Sequence, residues 1–101
     1  MLNINEDTMN AYKQKAQAHL KELKAKMQIV EANTEKASAD MKIKYQKQID
    51  DWKSRFNDVE TKLDKLSNAT GDAWKSMRSG VDSAMKELGD AIDSAKKQLN
   101  N

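Results

Sequence analysis

Between Tyr45 and Leu66 the residues Tyr45, Ile49, Trp52, Phe56, Val59, Leu63 and Leu66 follow one another at spacings of 4, 3, 4, 3, 4 and 3. That alternation is a heptad seam, the mark of a helix that packs lengthwise against other helices. The seam holds one of the two Trp, one of the two Tyr and the only Phe, so most of the aromatic area lies on one stripe. An all-α chain is therefore expected. A charged fraction of 34% beside 38% hydrophobic residues, with no Pro, suits long amphipathic helices better than a globule with a deep core. Disorder is the competing reading of so polar a chain, but its apolar residues are periodic.

Toward the N-terminus the stripe continues through Met9, Tyr12, Ala16, Leu20, Leu23, Met27, Val30, Thr34, Ala37 and Met41, always three or four residues apart. Asn5, Asp7 or Thr8 can cap the first helix. The segment Glu31-Ala32-Asn33-Thr34-Glu35-Lys36-Ala37 contains no Gly or Pro, consists mostly of good helix formers, and keeps the stripe in phase. The expectation is one continuous helix over about residues 6–67, roughly 90 Å long at 1.5 Å per residue. Only Ala and Thr occupy the seam between Val30 and Met41, so packing there is expected to be thin. A turn in this segment would instead give three helices of similar length, a spectrin-like bundle.

Ser67-Asn68-Ala69-Thr70-Gly71-Asp72 is the first plain break. Asn68 or Gly71 can adopt the left-handed conformation that ends a helix, and Thr70 or Asp72 can cap the next. With a turn at 68–71, a second helix over about 72–99 places Trp74, Met77, Val81, Ala84 or Met85, Leu88, Ile92, Ala95 and Leu99 on one face. Gly80 and Gly89 are expected to let a neighbouring helix approach closely. The fold class expected is a helical hairpin or coiled coil, a single domain over 1–101. Folding back from residue 70, a helix of roughly 42 Å reaches only to about residue 40. Leu20, Leu23, Met27, Ile29 and Val30 would then lack cover, so self-association is expected, most simply an antiparallel homodimer; another coiled-coil protein is the alternative partner.

Candidate chemistry is sparse. His19 is the only His and has no Cys or second His at ligand spacing, so it is expected to be solvated or at the seam's edge. Asp50 and Asp51 are adjacent and point about 100 degrees apart on a helix, a poor acid–base pair. Asp90 and Asp93 share a face without other ligands and are read as solvated charge. Five of the six Met are scattered along the seams, where Met fills gaps in a core. No phosphate loop, nucleophile elbow or metal signature occurs, and no catalytic residue, cofactor or metal is expected.

Net charge is +2, with 13 basic and 11 acidic residues before Asn68 and 5 of each after it. No basic tail results, and no specific nucleic acid is expected. The tract Lys13, Lys15, Lys21, Lys24 and Lys26, opposed by Glu22 alone, is the one local bias. It is either the wet face of a helix or a weak contact for an anionic surface, of membrane or nucleic acid. Without Cys there is no disulfide framework. The N-terminal residues lack a basic region followed by an apolar run, and no stretch reaches the roughly 18 to 20 apolar residues of a membrane span; a cytoplasmic chain is expected.

The run Ala39-Asp40-Met41-Lys42-Ile43-Lys44-Tyr45-Gln46-Lys47-Gln48-Ile49, then Gly71-Asp72-Ala73-Trp74, Gly80-Val81-Asp82-Ser83-Ala84 and Glu87-Leu88-Gly89-Asp90-Ala91-Ile92, resembles the small bacterial coiled-coil proteins described as stress-response or hypothetical proteins. The likeness covers about residues 35–99. It implies a cytoplasmic, non-enzymatic, stress-linked bacterial protein and supplies no catalytic residue. Where it leads one to expect a second Trp in the last helix, the chain has Met85. Two functions follow as expectations. One is a structural or interaction protein that associates through the seam formed by Leu20, Leu23, Met27, Val30, Met41, Tyr45, Ile49, Trp52, Phe56, Val59, Leu63, Leu66, Trp74, Met77, Val81, Leu88 and Ile92. The other is an apolipoprotein-like amphipathic chain that opens on anionic lipid.

Overall fold

A computed structural model describes residues 6–66 and 68–100, without the side chains of Glu6 and Asn100. Among the described residues three helices make up the fold: α1 (Glu6–Glu35), α2 (Ala39–Leu66) and α3 (Gly71–Asn100). At 30, 28 and 30 residues, roughly 42 to 45 Å at 1.5 Å per residue, each covers most of the length of the bundle, which measures 57 × 17 × 16 Å. Interhelical pairs fix the directions. Lys13 meets Asp64 and Glu31 meets Lys53, so α1 and α2 are antiparallel; Tyr12 meets Asp82 and Lys26 meets Asp93, so α1 and α3 are parallel.

The single helix expected over residues 6–67 is thus divided, and the three-helix alternative is the arrangement found. Its physical cause lies at residues 36–38. The amides of Lys36 and Ala37 donate to the carbonyls of Asn33 (3.2 Å) and Thr34 (3.0 Å), i→i−3 bonds that tighten the last turn of α1. Thr34 donates its hydroxyl to the Val30 carbonyl at 2.7 Å and is buried without an unmet polar group. Ser38 then starts α2: its Oγ accepts from the Met41 amide at 3.4 Å and its carbonyl from Lys42 at 2.9 Å. Asp40 sits in the first turn, at the positive end of the helix dipole. The thin Ala/Thr section of the seam is where the chain turns.

Folding back here gives α1 its cover. Leu20, Leu23, Met27 and Val30 are all buried, together contributing roughly 6 to 12 kcal/mol at 1.5–3 kcal/mol per buried aliphatic side chain. The bare N-terminal seam that motivated a dimer is therefore closed within one chain. Ile29 is the exception among the residues expected to need a partner: it lies on the outer face of α1, 46% exposed.

The core runs the length of the bundle. Tyr45, Ile49, Trp52, Phe56, Val59, Leu63 and Leu66 of α2 are buried, with Trp74, Val81, Met85, Leu88, Ile92 and Ala95 of α3 and Ala16 of α1. Met41 and Met77 pack against it half-buried, as do Met9, Tyr12, Ala84 and Leu99. Tyr45 reaches across to donate to Gln98 Oε1 at 2.5 Å, joining the start of α2 to the end of α3. At the second connection Asn68 and Ala69 again make i→i−3 bonds, to Lys65 and Leu66, and the Thr70 carbonyl accepts the first bond of α3 from Trp74. Gly71 takes φ +23°, but as the first residue of α3 rather than as the residue that ends α2, and Asn68 has no positive φ. Of the candidate caps, Asn5 lies outside the described residues, as does Ser67 of the turn. Gly89 does allow close approach, since a Cβ there would lie 3.4 Å from Leu23 Cδ2. Gly80 does not: a Cβ would meet open space.

Candidate functional site

With its apolar residues turned inward, the bundle presents polar grooves between its helices. One groove of about 450 Å³ between α1 and α3 is lined by Tyr12, Lys15, His19, Glu22, Arg78 and Asp82, among others. A second, about 320 Å³, continues it past His19, Asp82 and Met85 to Lys26, Asp90 and Asp93. Both are open clefts, with basic and acidic side chains alternating along their rims.

The most organised polar cluster sits at the head of this groove. Tyr12 donates its hydroxyl to Asp82 Oδ1 at 2.6 Å and lies 3.3 Å from the Arg78 carbonyl. Its ring meets Trp74 edge-on, centroids 5.9 Å apart. The Arg78 guanidinium stacks 5.0 Å from the Tyr12 ring and 5.4 Å from that of Trp74, with Asp82 one helical turn on at 4.0 Å. Burial pushes the Tyr12 hydroxyl well above the usual phenol range; the hydrogen bond to Asp82 and that carboxylate's charge add to the rise, and Arg78 opposes it. A phenol held this firmly in its protonated form is a clamp and a poor base at neutral pH. Heptad spacing reveals Tyr12 and Trp74 as seam residues. Their meeting with Arg78 and Asp82 joins positions 66 and 70 residues apart, which no local pattern encodes. Trp74 Nε1 is buried without a hydrogen-bond partner.

The lysine tract is shared between two sides of α1. Toward α2, Lys13 lies 3.9 Å from Asp64, and Lys24 pairs with Glu60 while standing 5.9 Å from the Phe56 ring centroid. Toward α3, Lys26 lies 3.5 Å from Asp93. Lys15 and Lys21 are exposed on the rims of different grooves, Lys15 beside α3 and Lys21 beside α2. These five cations thus form no single patch. Asp93, expected to be solvated, joins two helices instead, while Asp51 pairs along α2 with Arg55 at 2.9 Å and Asp50 accepts from Gln46 at 3.1 Å.

His19 is exposed on the shared wall of the two α1–α3 grooves. Among the described residues no three His, Asp or Glu side chains are placed to hold a metal ion, and no helix is long and apolar enough to cross a membrane. What the arrangement does chemically is tie α1 to α2 and α3 through matched charges and one tyrosine clamp. The seam residues from Leu20 to Ile92 lie in or against the core rather than on an outer surface. No family model, curated protein or solved structure matches the chain.

Proposed function

We propose that the chain is a non-enzymatic helical interaction protein of the bacterial cytoplasm, associated with stress, that works by pairing its helices with other helices. The observation that carries this reading is the interior. All three helices commit their apolar residues at heptad spacing to one continuous core, a mode of packing that helices of separate chains share. The open, charge-alternating grooves support it too, since catalysis calls for a concave site with converging polar groups. The stress association and the bacterial setting rest on the residues of the resemblance, Gly71-Asp72-Ala73-Trp74 above all.

A survival assay tests the reading. A strain lacking the chain should tolerate heat, oxidant or osmotic shock less well than its parent. The wild-type chain should restore tolerance, and a Leu23→Asp chain, with a charge in the core, should not. Equal survival of all strains would contradict it. The lipid-surface reading is less well supported, because Lys13, Lys24 and Lys26 already face carboxylates of neighbouring helices. Co-sedimentation with anionic vesicles at low salt is its direct test, and the chain is expected to stay in the supernatant.

A further inference from the structure

The connection between α1 and α2 is unusual in being made of helix-forming sequence. Lys36, Ala37 and Ser38 include no Gly or Pro, and no described residue other than Gly71 has positive φ. No glycine or proline fixes the turn's backbone; two i→i−3 bonds tighten it, and its Ser38 cap, at 3.4 Å, lies at the long limit of a hydrogen bond. The stripe also passes through it unbroken: Met27, Val30, Thr34, Ala37, Met41 and Tyr45 are spaced 3, 4, 3, 4 and 4. If residues 36–38 became helical, α1 and α2 would present their core faces on the same side of one rod.

We propose that the chain exchanges α1 with a second copy of itself by straightening this turn. Each copy then forms one rod over residues 6–66 followed by α3, and the two rods lie antiparallel. The α1 of each copy occupies, on its partner, the place it holds in the closed bundle. Every interhelical contact is kept, with its two sides now supplied by different copies. Complementarity favours a second copy as the partner: α2 and α3 hold Asp64, Glu60 and Asp93 where Lys13, Lys24 and Lys26 of α1 meet them, and Asp82 where the Tyr12 hydroxyl donates. Near the two-fold axis the rods cross at Ala37, a side chain small enough for close approach. The closed form avoids the entropy cost of association, so exchange grows with concentration. The inference rests on the helix-pairing reading above and names its partner.

The test is light scattering after size exclusion, from micromolar to millimolar chain, with samples warmed through unfolding and cooled. Mass should rise from 11.5 kDa toward twice that value with concentration. Ala37→Gly weakens helix continuity by about 1 kcal/mol in each rod, so it should weaken the dimer about thirtyfold. Ser38→Ala removes the cap and improves the helix former, and should tighten it by about the same factor. Copies labelled separately at Asn10→Cys and Lys65→Cys should show energy transfer only in the dimer. Both hinge variants leave the core intact, and their helicity should match the wild type at low concentration. A Ser38→Ala chain that stays at 11.5 kDa at millimolar concentration, or a dimer equally tight in both variants, overturns the exchange. Either result leaves the broader pairing reading to the survival assay.

Discussion

The two connections of the bundle do the same work with different chemistry. The second, Asn68-Ala69-Thr70-Gly71, spells out its turn, and Gly71 adopts the positive φ that ordinary residues avoid. The first, Lys36-Ala37-Ser38, has no such residue, yet it also begins with two i→i−3 bonds and returns the chain antiparallel. A helix therefore needs no breaker to end. A serine cap, an acid in the next first turn and a large apolar return suffice. The second connection is locked by its backbone, while the first is held by what lies on either side of it.

Core truncations beside each connection test that difference with the largest effect. Tyr45→Ala, next to the first, should cost about 3 to 5 kcal/mol, and Leu66→Ala, at the second, about 2 to 5 kcal/mol, read from denaturant midpoints. A loss below about 1 kcal/mol for Tyr45→Ala would mean that the first connection does not close the bundle, since burial of this kind is worth more.

The Tyr12 clamp joins α1 directly to α3, and alkaline titration isolates it. Its folded pKa lies above the unfolded value of 10.0, so the contribution is complete below about pH 10 and is lost as pH rises further. Stability of the wild type should fall more steeply with pH than that of Tyr12→Phe above pH 10. Parallel curves would show that the hydroxyl is not held by Asp82.

Glycine replacements give smaller effects of opposite sign. Gly71→Ala should lose about 1 kcal/mol because of its φ. Gly80→Ala, exposed in mid-helix with open space around a Cβ, should add about 0.5 to 1 kcal/mol. The smallest effect belongs to the first connection: Ser38→Ala should cost only about 0.5 kcal/mol at micromolar concentration, the lower end for a helix cap.

The seam was legible because heptad spacing is a direct image of burial: Leu20, Leu23, Met27, Val30 and the α2 residues from Tyr45 to Leu66 all reach the core. The turn at 36–38 was not, because its signals are individually weak. Ser38 followed by Asp40 marks a helix start, but an in-phase stripe and good helix formers argue against a break there. Both patterns are true of the chain, and only the burial of Leu20 through Val30 by α2 and α3 decides between them. The Tyr12–Asp82 clamp lies beyond sequence reasoning for another reason. It depends on α1 and α3 being parallel, which follows only once the first turn exists. The partners of the lysine tract were hidden in the same way, since Lys13, Lys24 and Lys26 run together in sequence yet face two different helices.

The closed bundle requires the chain to double back at residues 36–38 when it is alone. Spin labels at Asn10→Cys and Lys65→Cys, in a chain with no Cys of its own, report this directly. The doubly labelled chain is diluted at micromolar concentration into excess unlabelled protein. In the closed bundle the two positions lie side by side on adjacent helices, and a distance of about 20 Å is expected from helix axes 8–10 Å apart plus the label arms. A distance near 80 Å, that of 55 residues on one unbroken helix, would contradict it.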